Sequence, residues 1–103
     1  MDTQHRLIHI LLLTQEHCGF CEQARDILER LSREYGLAVS TLDMHSAQGQ
    51  ELAIRGGLLF PPAIFIEGEP FSYGRLSERK LRRELDRRLA VPRLTAVSHS
   101  SSG

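Results

Sequence analysis

The chain has 103 residues, 41% of them hydrophobic and 25% charged, enough for one domain with a modest core. Thirteen Lys and Arg balance thirteen Asp and Glu, so the net charge is zero, and the whole-chain balance points to neither nucleic acid nor an anionic membrane surface. No apolar stretch is long enough to span a bilayer, and Met1 to Leu13 lacks the pattern of a secretory signal, so a monomeric cytoplasmic protein is expected.

The first element is a strand. Leu7, Ile8, Ile10, Leu11, Leu12 and Leu13 form a nearly continuous apolar run, which predicts a central strand covered on both faces. His9 interrupts the run and is expected to be packed or satisfied at an edge, most of a strand length away from the next segment of interest.

That segment is Thr14, Gln15, Glu16, His17, Cys18, Gly19, Phe20 and Cys21, where the strand pattern gives way to a helical one and both cysteines of the protein occur. A Cys-x-x-Cys pair at such a junction is a redox signature. A thiol in the first turn faces the unpaired N–H groups and positive end of the helix, which favour the thiolate, the reactive form. Cys21, three residues on, falls on nearly the same helix face, close enough to form a small disulfide with Cys18. Cys18 is the candidate nucleophile, Cys21 the resolving thiol, and His17 a candidate modulator of Cys18 ionisation.

Other uses of two cysteines fit the sequence less well. A structural zinc site needs four ligands, and neither a second Cys-x-x-Cys nor a His-x-His pair exists; His5, His9, His17, His45 and His99 lack ligand spacing. Covalent haem needs a histidine after the second cysteine, where Glu22 stands. No metal site is expected within one chain. A non-enzymatic module that binds a metal or a partner through the two thiolates, with two chains contributing, remains the alternative.

After Gly19, Phe20, Ala24, Ile27, Leu28, Leu31 and Tyr35 recur at helical spacing, with Gly36 placed to end the helix. Asp26 with Arg30 and Glu29 with Arg33 are acid-before-base pairs four apart on its solvated face. Leu37 to Leu42 reads as a second strand, parallel to the first across the crossover helix. Ser46 caps a weaker helix ending at Gly56 and Gly57. Phe60 to Ile66 enters a third strand, and Glu67 to Glu69 turns into a fourth, Pro70 to Tyr73. The last helix starts at Ser77, with Leu81, Leu85 and Leu89 on one stripe among arginines. Residues 75–93 carry a local charge of +5, against −5 over residues 1–74, and the basic face is expected in solvent. The domain is expected to cover residues 1–90, and from Val91 to Gly103 a polar tail without periodicity is expected to be disordered.

The order β-α-β-α-β-β-α, with Cys18 and Cys21 opening the first helix, resembles the short thioredoxin fold, and over about residues 6–89 the chain is similar to small glutaredoxin-like proteins. Further marks are Thr14, the segment Pro62 to Gly68, and Gly74 before the final helix. The resemblance implies an α/β fold with a four-stranded mixed sheet flanked by helices. It implies a cis Pro62 beside the cysteines, with Pro61 and Phe20 completing the substrate surface. It also implies disulfide oxidoreductase activity on a protein or small-molecule disulfide, with glutathione or another low-molecular-weight thiol as reductant and no tightly bound cofactor.

Departures from the pattern are specific. His17 stands where thioredoxins have a tryptophan, and Leu12 where they have a buried acid. Gln15 replaces the basic residue usual in glutaredoxins, and Tyr73, Gly74, Arg75 and Leu76 replace their Gly-Gly-x-Asp.

Overall fold

In a computed structural model the chain is described over residues 7–58 and 60–98, with side chains described as far as Ala90. The elements run β1 (Ile8–Thr14), α1 (Gly19–Ser32), β2 (Leu37–Asp43), α2 (Ala47–Gly56), β3 (Ala63–Ile66), β4 (Glu69–Tyr73) and α3 (Glu78–Ser98). This is the expected order.

The strands form one four-stranded sheet in the order β2-β1-β3-β4. β1 pairs parallel with β2, antiparallel β3 lies on its other side, and β4 pairs antiparallel with β3. The continuous apolar run of β1 is explained by alternation between two covered faces. Ile8, Ile10 and Leu12 share a core with Ala24, Leu28 and Leu31 of α1 and Leu81 and Leu85 of α3. Leu11 and Leu13 point the other way, toward Ala53 of α2 and Met44. β3 divides likewise, Ile64 and Ile66 to the first core, Ala63 and Phe65 to the second. Two helices thus cover one face and one the other, and truncating a fully buried member such as Leu28 to alanine would cost about 2–5 kcal/mol.

Local caps follow the sequence. The Ser46 hydroxyl accepts from the Gly49 N–H at 3.0 Å, and Gly57, at φ 70°, ends α2 in the left-handed region. The Ser77 hydroxyl accepts from the Lys80 N–H at 3.2 Å. Glu67 and Gly68 have φ of 53° and 82°, the two positive values of a type I′ hairpin turn between β3 and β4.

Four features differ from expectation. α1 ends at Ser32 with Arg33 as cap, short of Gly36, because the N–H groups of Glu34 and Tyr35 already close onto Leu31. β3 begins at Ala63 rather than Phe60, since pairing with β1 starts at Leu13 opposite Ala63. His9 is exposed, its backbone N–H held by the Glu67 carboxylate at 2.7 Å. The backbone of α3 continues through Pro92 to Ser98, past the expected boundary at residue 90; among the residues whose side chains are described, Leu89 is the last packed on the core. Residues 99–103 lie outside the described residues.

The basic face of α3 is stitched to the acidic remainder of the chain. Arg82 forks onto Glu34 through two contacts of 2.7 Å, and Arg88 reaches Glu69 of β4 at 2.7 Å. Arg30 pairs with Glu78 of α3 instead of Asp26. Such exposed pairs are screened by water and contribute little to stability.

Candidate active site

The end of β1 delivers the chain to Cys18 through Gln15, Glu16 and His17. His17 adopts φ 55°, a left-handed conformation uncommon for a residue with a side chain, and this turns the chain into α1. Cys18 is the N-cap of α1, with extended φ −123° and ψ 102°. Its Sγ accepts from the Cys21 N–H at 3.1 Å, where a serine or aspartate oxygen commonly serves. Cys18 and Cys21 are joined in a disulfide with Cα atoms 5.2 Å apart. Cys18 is partly exposed, whereas Cys21 is 1% exposed and packed inside the first turn.

Chain register places the remaining candidates. Leu13 is opposite Ala63, so Pro62 lies opposite Thr14, at the sheet end from which the loop to Cys18 departs. The Pro61–Pro62 bond is cis, as the resemblance implies. Pro62 is fully buried and its carbonyl accepts from the Gly74 N–H at 2.9 Å; Pro61 is half-buried. Phe20 projects into solvent at 49% exposure, next to the disulfide in sequence.

On the β2 side of Cys18 lies an open cleft of about 250 Å³. Gln15, Glu16, His17 and Cys18 form one wall, Glu22 and Arg25 of α1 another, and Asp43 ends β2 there. Cys18, Glu22 and Arg25 share a helix face because they are spaced four and three apart. His45 borders this region, with its Nε2 2.9 Å from Gln15 Oε1. On the β4 side, Phe60 and Tyr73 meet edge to face, with ring centroids 5.0 Å apart. Phe60, Tyr73 and the acidic lining of the cleft were not singled out as site residues from sequence: strand order sets where Phe60, Tyr73 and Asp43 stand, whereas Glu16 and Glu22, two and four residues from Cys18, were within reach of a sequence reading. Phe60 carried one usable signal, an aromatic residue directly before two prolines. Among the described residues, no cluster of three or more His, Cys, Asp or Glu could hold a metal ion, and no helix is long and apolar enough to cross a membrane.

Residues 9–86 match the family model described as a glutaredoxin-like domain (DUF836). No curated protein matches the chain. Among solved structures, a point mutant of thioredoxin from Halobacterium salinarum NRC-1 is similar with a TM-score of 0.60 at 22% identity, covering 82% of this chain and 76% of that one. The oxidised thioredoxin of Plasmodium falciparum gives 0.59 at 15% identity, covering 84% of this chain and 85% of that one. A malarial protein gives 0.60 at 15% identity, covering 80% and 97%. At these identities the likeness establishes the fold, a thioredoxin fold in its short form.

Proposed function

The chain belongs to the glutaredoxin-like domain family, and from that membership and the placing of its cysteines we propose that it is a thiol–disulfide oxidoreductase cycling Cys18 and Cys21 between dithiol and disulfide. The observation that carries this is the asymmetry of the pair: Cys18 caps a helix at the surface while Cys21 is buried one turn inside.

In the reduced protein the Cys18 thiolate is stabilised by the N–H groups and positive end of α1. It attacks one sulfur of a substrate disulfide, forming a Cys18–substrate bond as the substrate S–S bond breaks. The departing thiolate takes up a proton. Cys21 then loses its proton and attacks Cys18 Sγ, closing the Cys18–Cys21 bond and releasing the second substrate thiolate. The substrate gains two electrons and the protein loses two. Two molecules of a low-molecular-weight thiol such as glutathione return the dithiol, leaving as their disulfide.

Phe20 and Pro61 supply apolar contact beside the nucleophile, Pro62 shapes the groove, and His17 in its cationic form adds to the field that favours the thiolate. A disulfide in a protein or a small molecule is the substrate. The cytoplasm suits this role, because its thiol pool keeps the dithiol reduced.

The test is trapping. The Cys21→Ser variant keeps attack but loses resolution, so it accumulates a mixed disulfide with an oxidised substrate, seen by mass spectrometry and released by dithiothreitol. Cys18→Ser traps little. Equal trapping through Cys21 would overturn the roles; loss of metal binding in either variant, with no adduct in either, would replace catalysis with metal binding.

A further inference from the structure

The two flanks of Cys18 differ in chemistry. At the sheet end near the cysteines the strands stand in the order β2, β1, β3, β4, so Asp43, Thr14 and Pro62 lie across it in that order, with Gly74 beyond Pro62 and Tyr73 one position back, opposite Ala63. Adjacent strands are roughly 4.8 Å apart, which puts Tyr73 about 10 Å from the end of β1 on one side and Asp43 about 5 Å away on the other.

The β2 flank is acidic. Glu16, Glu22 and Asp43 line the cleft that Cys18 borders, against one guanidinium, Arg25, and the imidazole of His17. Asp43 also accepts from the His45 N–H at 2.8 Å, while Glu16 and Glu22 form no ion pair among the described residues. The β4 flank is aromatic. Phe60 and Tyr73 are 52% and 40% exposed, yet their rings are fixed: Tyr73 meets Phe60 edge to face, and Phe60 covers Gly74 so closely that a Cβ there would lie 3.2 Å from the ring.

We propose that the disulfide partner is an extended polypeptide whose reactive cysteine carries an aromatic or aliphatic side chain toward Phe60 and Tyr73 and a Lys or Arg toward Glu16, Glu22 and Asp43. This rests on the oxidoreductase reading above. An extended chain advances about 3.3 Å per residue, so the apolar side chain sits two or three positions from the cysteine. An anionic thiol such as glutathione meets three carboxylates on the acidic flank and is the poorer partner. One charge contact at about 4 Å in water is worth about 1 kcal/mol, about fivefold in rate or affinity, and two such contacts exceed tenfold.

The experiment measures how fast the reduced full-length protein is oxidised, in single turnover, by synthetic peptide disulfides with Phe two or three positions to one side of the cysteine and Lys on the other, or with Phe and Glu, or Gly and Lys, at the same positions. Each rate is normalised to that of dithiothreitol with the same peptide, which removes intrinsic thiol reactivity. The Phe/Lys peptide should exceed the Phe/Glu peptide by about tenfold at low salt. That ratio should shrink toward one in 1 M salt, where the screening length falls to about 3 Å, and in Glu22→Gln. The advantage of Phe/Lys over Gly/Lys should fall in Phe60→Ala. Because each reading is a ratio between peptides on one protein, a loss of folded variant cancels. Peptide rates equal within twofold in the wild type, or a charge ratio unmoved by both salt and Glu22→Gln, would overturn the proposal. Neutral bis(2-hydroxyethyl) disulfide is the control: if neither it nor any peptide oxidises the protein, the oxidoreductase reading fails, and this selectivity with it.

Discussion

The Cys21 backbone N–H donates to Cys18 Sγ across 3.1 Å, so the outer sulfur of the disulfide also caps the helix that carries the inner one. A thiolate accepts this hydrogen bond more strongly than a neutral sulfur, which couples reduction to stabilised charge on Cys18 and not on Cys21. In the reduced protein, substoichiometric iodoacetamide near neutral pH should therefore label Cys18 at least tenfold faster than Cys21, which is 1% exposed. Peptide mapping reads the ratio. Comparable labelling of the two would contradict the asymmetry.

Pro61 precedes the cis proline and has no N–H to offer an extended substrate, only a carbonyl. One backbone hydrogen bond, about 0.5–1.5 kcal/mol, is missing from such a pairing. Pro61→Val should lower the Michaelis constant for a peptide disulfide by up to about tenfold. An unchanged or higher constant would argue that substrate does not run along this segment.

Gly49 lies in the first turn of α2, where a Cβ would collide with the Asp43 carbonyl oxygen. Gly49→Ala should destabilise the protein by about 1–3 kcal/mol through forced shifts at the end of β2. In a chain of this size that lowers Tm by about 4–8 °C per kcal/mol. Gly19→Ala, with nothing within 4 Å of its Cβ, is the control and should leave Tm nearly unchanged. Similar Tm losses in both would mean that backbone freedom, not contact, decides at Gly49.

The forked hydrogen bonds from Arg82 hold the Glu34 carboxyl below its ordinary value of 4.5, and those from Arg87 and Arg88 do the same for Glu84. A carboxylate whose value is depressed in the folded state adds stability above the unfolded value and loses it as pH falls through the folded one. Tm should hold from pH 7 to about 5 and fall below about 4.5, and Glu34→Gln together with Glu84→Gln should make that acid-side fall shallower. The effect should weaken in salt, since these pairs lie at the surface. A wild-type Tm that rises as pH drops below 4.5 would reverse the assigned sign.

Features set by a few neighbouring residues were legible in the sequence. Cys18 at the start of α1, the Ser46 and Ser77 caps, Gly57 at the end of α2 and the Glu67–Gly68 turn all depend on contacts within about four positions, so side-chain chemistry and backbone preference settle them locally. Hydrophobic patterning likewise marked β1, α1 and α3, while α2 and β4 were marked by their cap and turn residues. Pro62 was placed by resemblance alone, because its partner Gly74 is twelve residues on.

What folding in three dimensions decided lies further apart in the chain. The apolar run of β1 does not say which of its residues meet α1 and α3 and which meet α2; that follows from the pleat once β3 docks beside it. Arg30 chose Glu78, 48 residues away, over Asp26 four residues away, because packing brings α3 against α1. Strand order also sets Asp43 and Tyr73 on opposite sides of β1, the strand that leads to Cys18, though neither of them neighbours that cysteine in sequence. Contacts of this kind depend on which surfaces the sheet and helices leave facing each other, and no local pattern of residues encodes that.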